Sequence, residues 1–356
     1  MKILITGVCG FVGSSIATGL LEHWPGGCQI IGIDNLSRQG SELNRSTLRH
    51  RGVKLVHGDL RLASDLEPLE AADWVIDAAA NPSVLAGVMG SGTSRQLMEH
   101  NLFASVNVLE YCRAHRAGLV LLSTSRVYSI DPLSRLPMQA HDGAFRPVID
   151  AIPMAGLSAR GVSEAFPTHA PISLYGATKL ASEQLALEYG AAFGFPVWID
   201  RCGVFAGAGQ FGKADQGIFT YWINSWLRRR PMRYIGFGGK GHQVRDAVHP
   251  SDIVTLLLKQ ISSAGSPSLP TIVNLGGGTE NAMSLAQLSD WCRQRFGAHE
   301  VASEPGNRPF DVPWLVMDSM LARSAWDWTP ARGLDSILEE IAVHAEANPH
   351  WLDVAG

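Results

Sequence analysis

The sequence predicts an α/β fold in which helices cover both faces of a doubly wound parallel sheet. Three observations carry this prediction: short β-branched runs alternate with amphipathic segments, a glycine-rich turn follows the first run, and hydrophobic residues make up 46% of the 356-residue chain. Parallel strands that are buried on both faces have continuous apolar runs of this kind. The predicted strands are Lys2–Thr6, Gln29–Ile33, Lys54–His57, Trp74–Asp77, Leu119–Ser123, Val197–Asp200 and Ile272–Leu275.

Two stretches depart from this alternation and set the predicted domain boundaries. Asp131–Ala170 is rich in Pro, Ala and Gly, and because an ordered connection of that length is uncommon and often functional, we interpret it as a lid. We predict a first domain over residues 1–202, rejoined by a segment near 242–278, and a smaller C-terminal substrate-binding domain over 203–356. The predicted helices with the clearest patterns are Ser14–Glu22, Gln96–His115 and Lys179–Phe193.

Charge and cysteine content exclude several classes of protein. A formal net charge of −4 gives no general electrostatic reason to bind nucleic acid or an anionic membrane. No stretch is long and uniformly apolar enough to span a bilayer, and the glycines of the N-terminal run make a poor signal-peptide core. The 5 scattered cysteines and 12 histidines show no metal-ligand spacing and no disulfide framework. We therefore expect a cytoplasmic protein with no catalytic metal.

A glycine fingerprint follows the first predicted strand. Gly7, Gly10 and Gly13 recur at every third position between that strand and the first helix. In this context the first glycine permits a tight turn, the second lets the backbone approach a pyrophosphate, and the third allows the helix to pack closely on the strand. Free N–H groups at the helix N-terminus then stabilise the phosphate charge. The sequence therefore predicts a Rossmann-type dinucleotide site.

The residues at the other strand ends favour NAD as the dinucleotide. Asp34 ends the second strand about 20 residues after the fingerprint, where a carboxylate accepts hydrogen bonds from the adenosine ribose and repels a 2′-phosphate. Arg38 keeps NADP open as an alternative. Asp59 is placed for the adenine edge, and the small side chains of 78–80 let the cofactor lie against the backbone. The residues assigned to NAD are Gly7, Gly10, Phe11, Val12, Gly13, Asp34, Asn35, Ser37, Arg38, Asp59, Leu60, Ala78, Ala79, Ala80, Tyr175 and Lys179.

Tyr175 and Lys179 form the chain's one Y-x-x-x-K pair. Residues four apart share a helix face, so the Lys179 ammonium is expected to stabilise a tyrosinate and lower the pKa of Tyr175 toward neutrality. Tyr175 then removes a hydroxyl proton as hydride leaves the carbon for the nicotinamide, whose ribose Lys179 also holds. A hydroxyl of Ser123-Thr124-Ser125, at the end of the fifth strand, is expected to bind the substrate oxygen. The predicted catalytic residues are thus Tyr175, Lys179 and one of these three.

With these motifs the chain resembles the extended short-chain dehydrogenase/reductase superfamily over nearly its whole length. The superfamily's third catalytic hydroxyl stands just before Val-Tyr, so the resemblance implies Thr124 as the third catalytic residue. Asn101 matches an asparagine that lies near the cofactor and active site there. Within the superfamily, the chain most resembles the CDP-paratose 2-epimerase (CDP-tyvelose epimerase) branch of nucleotide-sugar epimerases. The segments that carry this resemblance are Asp34–Arg38, Gln210–Phe211, Asp215–Gly217, Gly241–Asp246 and Asn274–Gly278.

The resemblance implies a tightly held NAD, transient oxidation of a sugar carbon, and hydride return to the opposite face of the ketone; in the paratose enzymes that carbon is C2. Related dehydratases place Asp-Glu after the equivalent threonine, and related decarboxylases keep a glutamate where this chain has Arg126. With Ser125 and Arg126 at those positions, epimerisation is favoured over elimination. Two alternatives stay open: a nucleotide-sugar dehydrogenase or reductase with net NAD(P) turnover, and a non-catalytic dinucleotide sensor.

The resemblance also implies contacts to a nucleotide-diphosphate sugar. Thr124, Gln210, Gln243 and Arg245 are assigned to this substrate, with Arg245 making bidentate charge-assisted contacts to the diphosphate. A structural salt bridge from Arg245 to a residue such as Asp246 or Asp252 is the alternative. Asp215 is a weaker candidate. The branch pattern is broken at Gly209, Ser129 and Cys202.

A homodimer is the expected assembly. Members of the superfamily often pair through the helix that carries Y-x-x-x-K and the helix that matches Gln96–His115. In this chain, Ala181 and Ala186 follow Lys179 and are expected to permit close approach of the two copies.

Overall fold

A computed structural model describes residues 1–89, 92–149, 154–213, 216–263, 266 and 268–355. Within these residues the strands are β1 (Lys2–Thr6), β2 (Gln29–Asp34), β3 (Lys54–His57), β4 (Trp74–Asp77), β5 (Gly118–Thr124), β6 (Met138–His141), β7 (Ala144–Pro147), β8 (Leu157–Ser158), β9 (Gly161–Val162), β10 (Val197–Cys202), β11 (Val204–Phe205), β12 (Met232–Ile235), β13 (Val244–Val248), β14 (Ile272–Leu275), β15 (Ala282–Ser284), β16 (Val301–Glu304) and β17 (Trp314–Leu315).

The helices connect and cover these strands. They are α1 (Phe11–His23), α2 (Asn44–His50), α3 (Ala63–Leu66), α4 (Ser94–Met98), α5 (Ala104–His115), α6 (Ile130–Ser134), α7 (Ser173–Phe193), α8 (Ile218–Leu227), α9 (Val254–Ser262), α10 (Leu285–Phe296), α11 (Met320–Trp326), α12 (Leu334–Ala347) and α13 (Trp351–Ala355).

The main sheet confirms the predicted doubly wound architecture. Seven parallel strands lie in the order β14–β10–β5–β4–β1–β2–β3. Chain order runs outward in both directions from the β1–β4 pair, so this pair is the topological switch point, outside which ligands bind in such folds. The predicted strands coincide with the observed ones to within two residues, since buried apolar runs mark this kind of strand well.

Two apolar clusters cover the two faces of this sheet. One packs α1 and α9 around Ile3, Ile5 and Val273, and the other packs α5 and α7 around Leu4 and Val75. A third cluster lies among α8, α10 and α12 of the C-terminal half. Burial on both faces makes the strand ends rigid supports for the loops that follow them.

The segment predicted as a lid is anchored to the C-terminal half. Its described residues, 131–149 and 154–170, include most of α6 and the hairpins β6–β7 and β8–β9. Val162 donates its N–H to Val316 O at 2.8 Å, and Phe145 donates to His242 O at 2.9 Å. A role as a lid stays a prediction, and residues 150–153 lie outside the described part.

Two helical features differ from the expectations. Helix α7 begins at Ser173, so its apolar pattern after Lys179 marks only the later part of the helix. The prediction that Ala186 lies at an intermolecular surface is wrong, because this residue is buried in the chain's own core against the sheet. Ala181 remains partly exposed.

Among the described residues, no helix combines the length and the apolar character that a membrane crossing needs.

Candidate active site

The glycine turn lies at the switch point, between the carboxyl ends of β1 and β4. Gly7 has a φ of +60°, and a Cβ there would lie 2.9 Å from Ala79 Cα. A Cβ at Gly13 would lie 2.3 Å from Gly7 O, so α1 packs against the turn only with glycine at this position. These contacts give Gly7 and Gly13 the tight-turn and close-packing roles that the fingerprint predicted.

A threonine that the sequence analysis missed joins the two strand ends. Thr6 Oγ1 donates to Asp77 Oδ1 at 2.5 Å and accepts the N–H groups of Ala78 and Ala79, both at 3.1 Å. All the partners lie at the ends of β1 and β4. The hydroxyl therefore fixes the start of the segment Ala78–Ala80 beside the glycine turn.

The start of α1 offers unoccupied backbone donors to an anion. Its N-cap is Gly10, which has no side chain to cap the helix, and Phe11 and Val12 begin a helix of 13 residues. The first N–H groups of a helix lack partners within the helix, and its dipole favours negative charge there. The turn thus has the donor chemistry that a pyrophosphate requires.

Asp34 supports the turn from the end of β2. Its Oδ2 accepts the N–H of Cys9 at 2.9 Å, and its Oδ1 accepts the N–H of Leu36 at 2.8 Å. Ser37 donates its N–H to Asn35 Oδ1 at 3.0 Å. The carboxylate predicted to meet the adenosine ribose is therefore oriented by backbone donors on both sides.

Asp59 and Asn35 lie together in the structure. Asn35 Nδ2 donates to Asp59 Oδ2 at 3.2 Å, and Arg61 Nη2 lies 2.6 Å from the same oxygen. Hydrogen bonds from Arg61 hold the pKa of Asp59 well below its usual range, although burial opposes them. Leu60 is buried beneath this corner. Asp59 is thus firmly ionised and already shared between two side chains.

Arg38 reaches into the C-terminal half. Its Nη1 donates to Gln216 Oε1 at 3.1 Å and its Nη2 donates to Phe211 O. These contacts join the loop after β2 to residues that follow β11. The assignment of Arg38 to the cofactor stays a prediction.

Asn101 bridges the loop after β4 and the helix α7. It is buried within a π-helical turn, Glu99–Phe103, a rare geometry that often marks functional positions. Its Oδ1 accepts the N–H of Asn81 at 2.8 Å, and its Nδ2 donates to Thr178 Oγ1 at 3.2 Å. Asn101 therefore positions the residue that precedes Lys179.

Thr124, Tyr175 and Lys179 come together as predicted from their order along the chain. Thr124 ends β5, and its Oγ1 accepts the N–H of Arg126 at 3.2 Å. Tyr175 and Lys179 lie one turn apart on α7, and both are buried. The Thr124 side chain lies beside the Tyr175 hydroxyl. The two hydroxyls thus form a pair that can hold one substrate oxygen and exchange its proton.

The electrostatics of this pair differ from the prediction. Burial raises the pKa of Tyr175 to about 12, and the neighbouring Thr124 hydroxyl and the Arg126 charge oppose that rise. Burial also lowers the pKa of Lys179, against the attraction of Asp77 and Glu183. The expected lowering of the Tyr175 pKa toward neutrality by Lys179 is therefore wrong for the protein alone, because desolvation outweighs the neighbouring charges.

Beneath the catalytic residues lies a buried salt bridge that the sequence analysis did not find. Arg201 donates to Glu183 through Nε at 3.1 Å and through Nη2 at 2.7 Å, and Ser123 Oγ donates to Glu183 Oε1. Arg201 also lies near the Tyr128 hydroxyl, at 3.5 Å. Glu183 lies one turn beyond Lys179 on the same helix face, and that spacing was a readable signal. The bridge ties α7 to β5 and β10.

The residues assigned to the substrate separate into two groups. Gln210 is engaged within its own loop, since its Nε2 donates to Phe205 O at 2.7 Å and its Oε1 accepts from Thr220 at 3.0 Å. Gln243 Nε2 donates to Ile235 O at 2.7 Å, while its Oε1 is buried without a partner in the described part of the chain. Both assignments stay predictions. Asp215 lies outside the described residues.

Arg245 forms a salt bridge, with a partner other than those considered from the sequence. Its Nη2 lies 2.8 Å from Asp311 Oδ1 and donates to Val312 O at 2.8 Å. Asp246 instead accepts the N–H of Gly278, and Asp252 accepts the N–H of Arg332. The structure thus shows the alternative of a structural salt bridge, with Asp311 in place of Asp246 or Asp252, and the assignment of Arg245 to the diphosphate stays a prediction. Asp311 lies 66 residues along the chain, and no spacing rule indicates such a pair.

The residues present fit a bound dinucleotide. Lys179 is 3% exposed, and within the described residues its ammonium forms no hydrogen bond or salt bridge, so Nζ is available to a ligand. Ribose hydroxyls are suitable acceptors for such a donor. Together with the open helix start and the Gly7–Gly13 turn, this ammonium defines a dinucleotide-binding α/β protein.

Comparison with known proteins places the chain within one family. The profile of the "NAD dependent epimerase/dehydratase family" matches residues 3–276, and the chain belongs to that family. NAD is accordingly its cofactor. The match spans every strand of the main sheet as well as Thr124, Tyr175 and Lys179.

Similar proteins cover almost the whole chain and differ in substrate. CDP-paratose 2-epimerase of Salmonella typhi is 29% identical over 93% of this chain and 95% of its own length. UDP-glucose 4-epimerase of Corynebacterium glutamicum is 26% identical over 96% and 94%. The crystal structure of UDP-glucuronic acid 4-epimerase from Bacillus cereus, with UDP-glucuronic acid and NAD, superposes with a TM-score of 0.78 at 22% identity, covering 98% of this chain and 99% of that one. The last likeness confirms the fold.

Proposed function

We propose that this protein is an NAD-dependent nucleotide-sugar epimerase that oxidises one sugar carbon transiently and reduces it again from the opposite face. The observation that carries the proposal is the placement of Thr124 beside Tyr175, with Lys179 one turn away on α7, at the switch point of a family fold. The named relatives that span the chain are epimerases of nucleotide sugars.

In this proposal each side chain has one task. Tyr175 Oη removes the proton of the reacting hydroxyl and later returns it. Thr124 Oγ1 holds the same oxygen and fixes its distance from Tyr175. The Lys179 ammonium binds the ribose hydroxyls and stabilises a tyrosinate. NAD, when bound, accepts a hydride and gives it back. Between the two transfers the ketone presents its other face, so the site must leave room for the sugar to turn.

The finer proposal is an activity like that of the CDP-paratose 2-epimerases, with inversion at C2. It is supported by the relative from Salmonella typhi, which matches over 93% of the chain, and by the segments around Asp34–Arg38 and Gly241–Asp246. Other relatives act on UDP-sugars at C4. The substrate itself is therefore the part of this proposal that an assay has to decide.

Substitution of Tyr175 by Phe tests the catalytic assignment. Phenylalanine keeps the ring and removes Tyr175 Oη, the atom that accepts and returns the proton in this proposal, so we expect turnover to fall by about 10²- to 10⁴-fold. NAD content and melting temperature should stay near those of the wild type. A folded, NAD-loaded variant with undiminished epimerisation of CDP-paratose, UDP-glucose or UDP-glucuronate would show the assignment to be wrong.

The cofactor released on denaturation tests internal recycling of hydride. We expect near-stoichiometric NAD in the mass spectrum of purified protein that was denatured without added cofactor, because an epimerase regenerates NAD in every cycle. A protein that is empty, and that forms free NADH in solution with substrate, would instead favour a net dehydrogenase or reductase. A co-released nucleotide sugar would identify the substrate directly.

We also propose a homodimer formed through α5 and α7, and a cytoplasmic location. The exposed rings of Phe103, beside α5, and Phe193, at the end of α7, support the proposed interface. Exposed aromatic side chains on one surface often mark protein contacts.

A further inference from the structure

Arg126 occupies a fixed position beside the catalytic hydroxyls. It lies in the 3₁₀ turn Ser125–Val127 directly after Thr124, and its N–H donates to Thr124 Oγ1 at 3.2 Å. Its carbonyl oxygen faces Gly176, the neighbour of Tyr175, so closely that a Cβ on Gly176 would lie 2.3 Å away. The backbone of Arg126 is therefore held between the two elements that carry Thr124 and Tyr175.

The side chain of Arg126 lacks a counter-ion. Its Nη1 reaches Phe310 O at 3.4 Å, a long hydrogen bond, and no carboxylate of the described residues forms a salt bridge with it. The nearby carboxylate of Asp311 forms its salt bridge with Arg245 instead, with Oδ1 2.8 Å from Arg245 Nη2. Two guanidinium groups therefore lie along the segment Phe310–Val312 with one aspartate between them.

This local excess of positive charge is costly without an anion. The side chain of Arg126 is partly buried, and burial, with repulsion from Arg245, lowers the pKa of Arg126 to about 10. A buried charge that has no partner destabilises a protein strongly, whereas a charge-assisted hydrogen bond to an anionic oxygen relieves the penalty. Beside this side chain is a cavity of about 10 Å³, which leaves space for one water-sized group; Arg126, Ser125 and Ser173 line it together with mostly apolar side chains.

We propose that Arg126 binds an oxygen of an anionic substrate group that is carried by the carbon next to the one being oxidised. This inference rests on the proposed function, because the position of Thr124 and Tyr175 defines which carbon reacts. Two substrates place an anion there: a sugar oxidised at C2, whose neighbour C1 bears the diphosphate, and a hexuronate oxidised at C4, whose neighbour C5 bears a carboxylate. Arg126 disfavours a neutral hexose oxidised at C4, since neither neighbour of that carbon bears a charge.

The experiment compares binding to NAD-loaded wild type and Arg126→Met by isothermal titration with UDP, UDP-glucose and UDP-glucuronate, and in parallel with CDP and CDP-glucose. Loss of one charge-assisted contact should weaken binding by about 10- to 100-fold. Arg126→Lys should recover part of the affinity, since it keeps the charge. Arg233→Met, at an exposed arginine of β12, is the matched control and should bind like the wild type.

The pattern of losses identifies the anion. A loss shared by the diphosphates and all the sugars assigns Arg126 to the phosphate and favours reaction at C2. A loss confined to UDP-glucuronate assigns it to the carboxylate and favours reaction at C4. Equal affinities for wild type and Arg126→Met, or no measurable binding to the wild type, would overturn the proposal. Because affinity and turnover are measured separately, the two failures can be told apart: Arg126-dependent binding with no epimerisation would refute the proposed function and leave only the conclusion that Arg126 binds an anion.

Discussion

Burial controls the charge state of Asp200, in the middle of β10. Its Oδ1 accepts Gln260 Nε2 at 2.7 Å, while Asp200 Oδ2 and Gln260 Oε1 are both buried without a donor in the described part of the chain. Desolvation raises the pKa of Asp200 to about 7, although the Gln260 hydrogen bond opposes it. A proton on Oδ2 would add a donor at a place where two acceptors lack one.

Asp200→Asn is expected to stabilise the protein above neutral pH. The folded pKa of Asp200 lies above its unfolded value of about 3.9, so the folded state binds the proton more tightly, and the wild type loses stability as pH rises from about 4 to 7. Asparagine stays neutral and adds a donor, which we expect to raise the free energy of unfolding by about 1–3 kcal/mol at pH 8. The gain should shrink at pH 5, where Asp200 is protonated.

Urea unfolding of both proteins at pH 5 and pH 8 measures this difference. Glu67→Gln, at an exposed carboxylate, is the control for the general effect of removing a negative charge. A gain for Asp200→Asn that is the same at both pH values would contradict the assignment of a raised pKa.

At the scale of residues, local conformation and chain order could be predicted where a motif fixes both residue type and spacing, while the cofactor-binding and catalytic roles stay predictions. Gly7 and Gly13, and the chain order of Thr124, Tyr175 and Lys179, needed only local rules. The partners of these residues were harder, because Asp311 and Arg201 lie far along the chain from Arg245 and Glu183, and only the fold brings each pair together. The prediction for the pKa of Tyr175 was wrong for a related reason, since the effect of burial outweighs that of Lys179, its neighbour on the helix.

At the scale of elements, the approach of α7 to the turn after β5 positions the catalytic pair. Gly176 lies at this contact, and a Cβ there would lie 2.3 Å from Arg126 O. Gly176→Ala should push the start of α7 outward and separate Tyr175 from Thr124. Because a misplacement of about 1 Å reduces catalysis by about 10²-fold, we expect a loss of that order in kcat.

Steady-state kinetics and NAD content of Gly176→Ala check this expectation. Gly306→Ala is the matched control, because a Cβ at Gly306 meets open space and that glycine has an ordinary φ. The control should match the wild type. An unchanged kcat for Gly176→Ala would mean that this contact does not set the catalytic geometry.

The Glu183–Arg201 salt bridge also holds α7 on the sheet: Arg201 lies on β10, and Ser123 of β5 donates to the same carboxylate. Removal of either partner leaves a buried charge alone, so Arg201→Met or Glu183→Leu should lower the free energy of unfolding by about 3–5 kcal/mol. The double variant removes both charges and should recover much of that loss. It should nevertheless keep a lowered kcat, because Ser123 and Tyr128 no longer tie β5 and the following turn to α7.

Urea unfolding and kinetics of the two single variants and the double variant form a complete cycle. Losses of stability that simply add in the double variant would show that the two side chains do not act as a pair. Full recovery of kcat in the double variant would show that the bridge stabilises the fold without positioning the catalytic residues.

Element boundaries were predictable where apolar runs are continuous and less so where helices change geometry. The strands of the main sheet were found within two residues because both faces of each are buried. The π turn Glu99–Phe103 interrupts a helix that the sequence shows as one segment, Gln96–His115. A single π turn is too short a departure from α-helical geometry to be read from the apolar spacing, so periodicity alone gives no signal for it.

At the scale of the whole molecule, the C-terminal half packs back into the first domain. Strand β14 forms an edge of the main sheet, as part of the segment near 242–278 that was predicted to return. Helix α11 is a second return that the sequence did not indicate: Trp326 packs edge-on against Trp198, with ring centroids 5.0 Å apart. The predicted division at residue 203 stays a prediction, and these contacts join its two parts.

The outer surface of α5 and α7 leads to the last prediction, on assembly. Phe103 is 58% exposed and Phe193 is 47% exposed, and their helices pack on the same side of the sheet. Burial of two such rings per chain favours association through this face, so light scattering at micromolar concentration should give the mass of two chains. Phe103→Glu combined with Phe193→Glu places charges in the interface and should give the mass of one chain. Val343→Glu, at an exposed position of α12, is the control and should stay dimeric. A single-chain mass for the wild type would contradict the dimer, and a dimeric double variant would place the interface on another face.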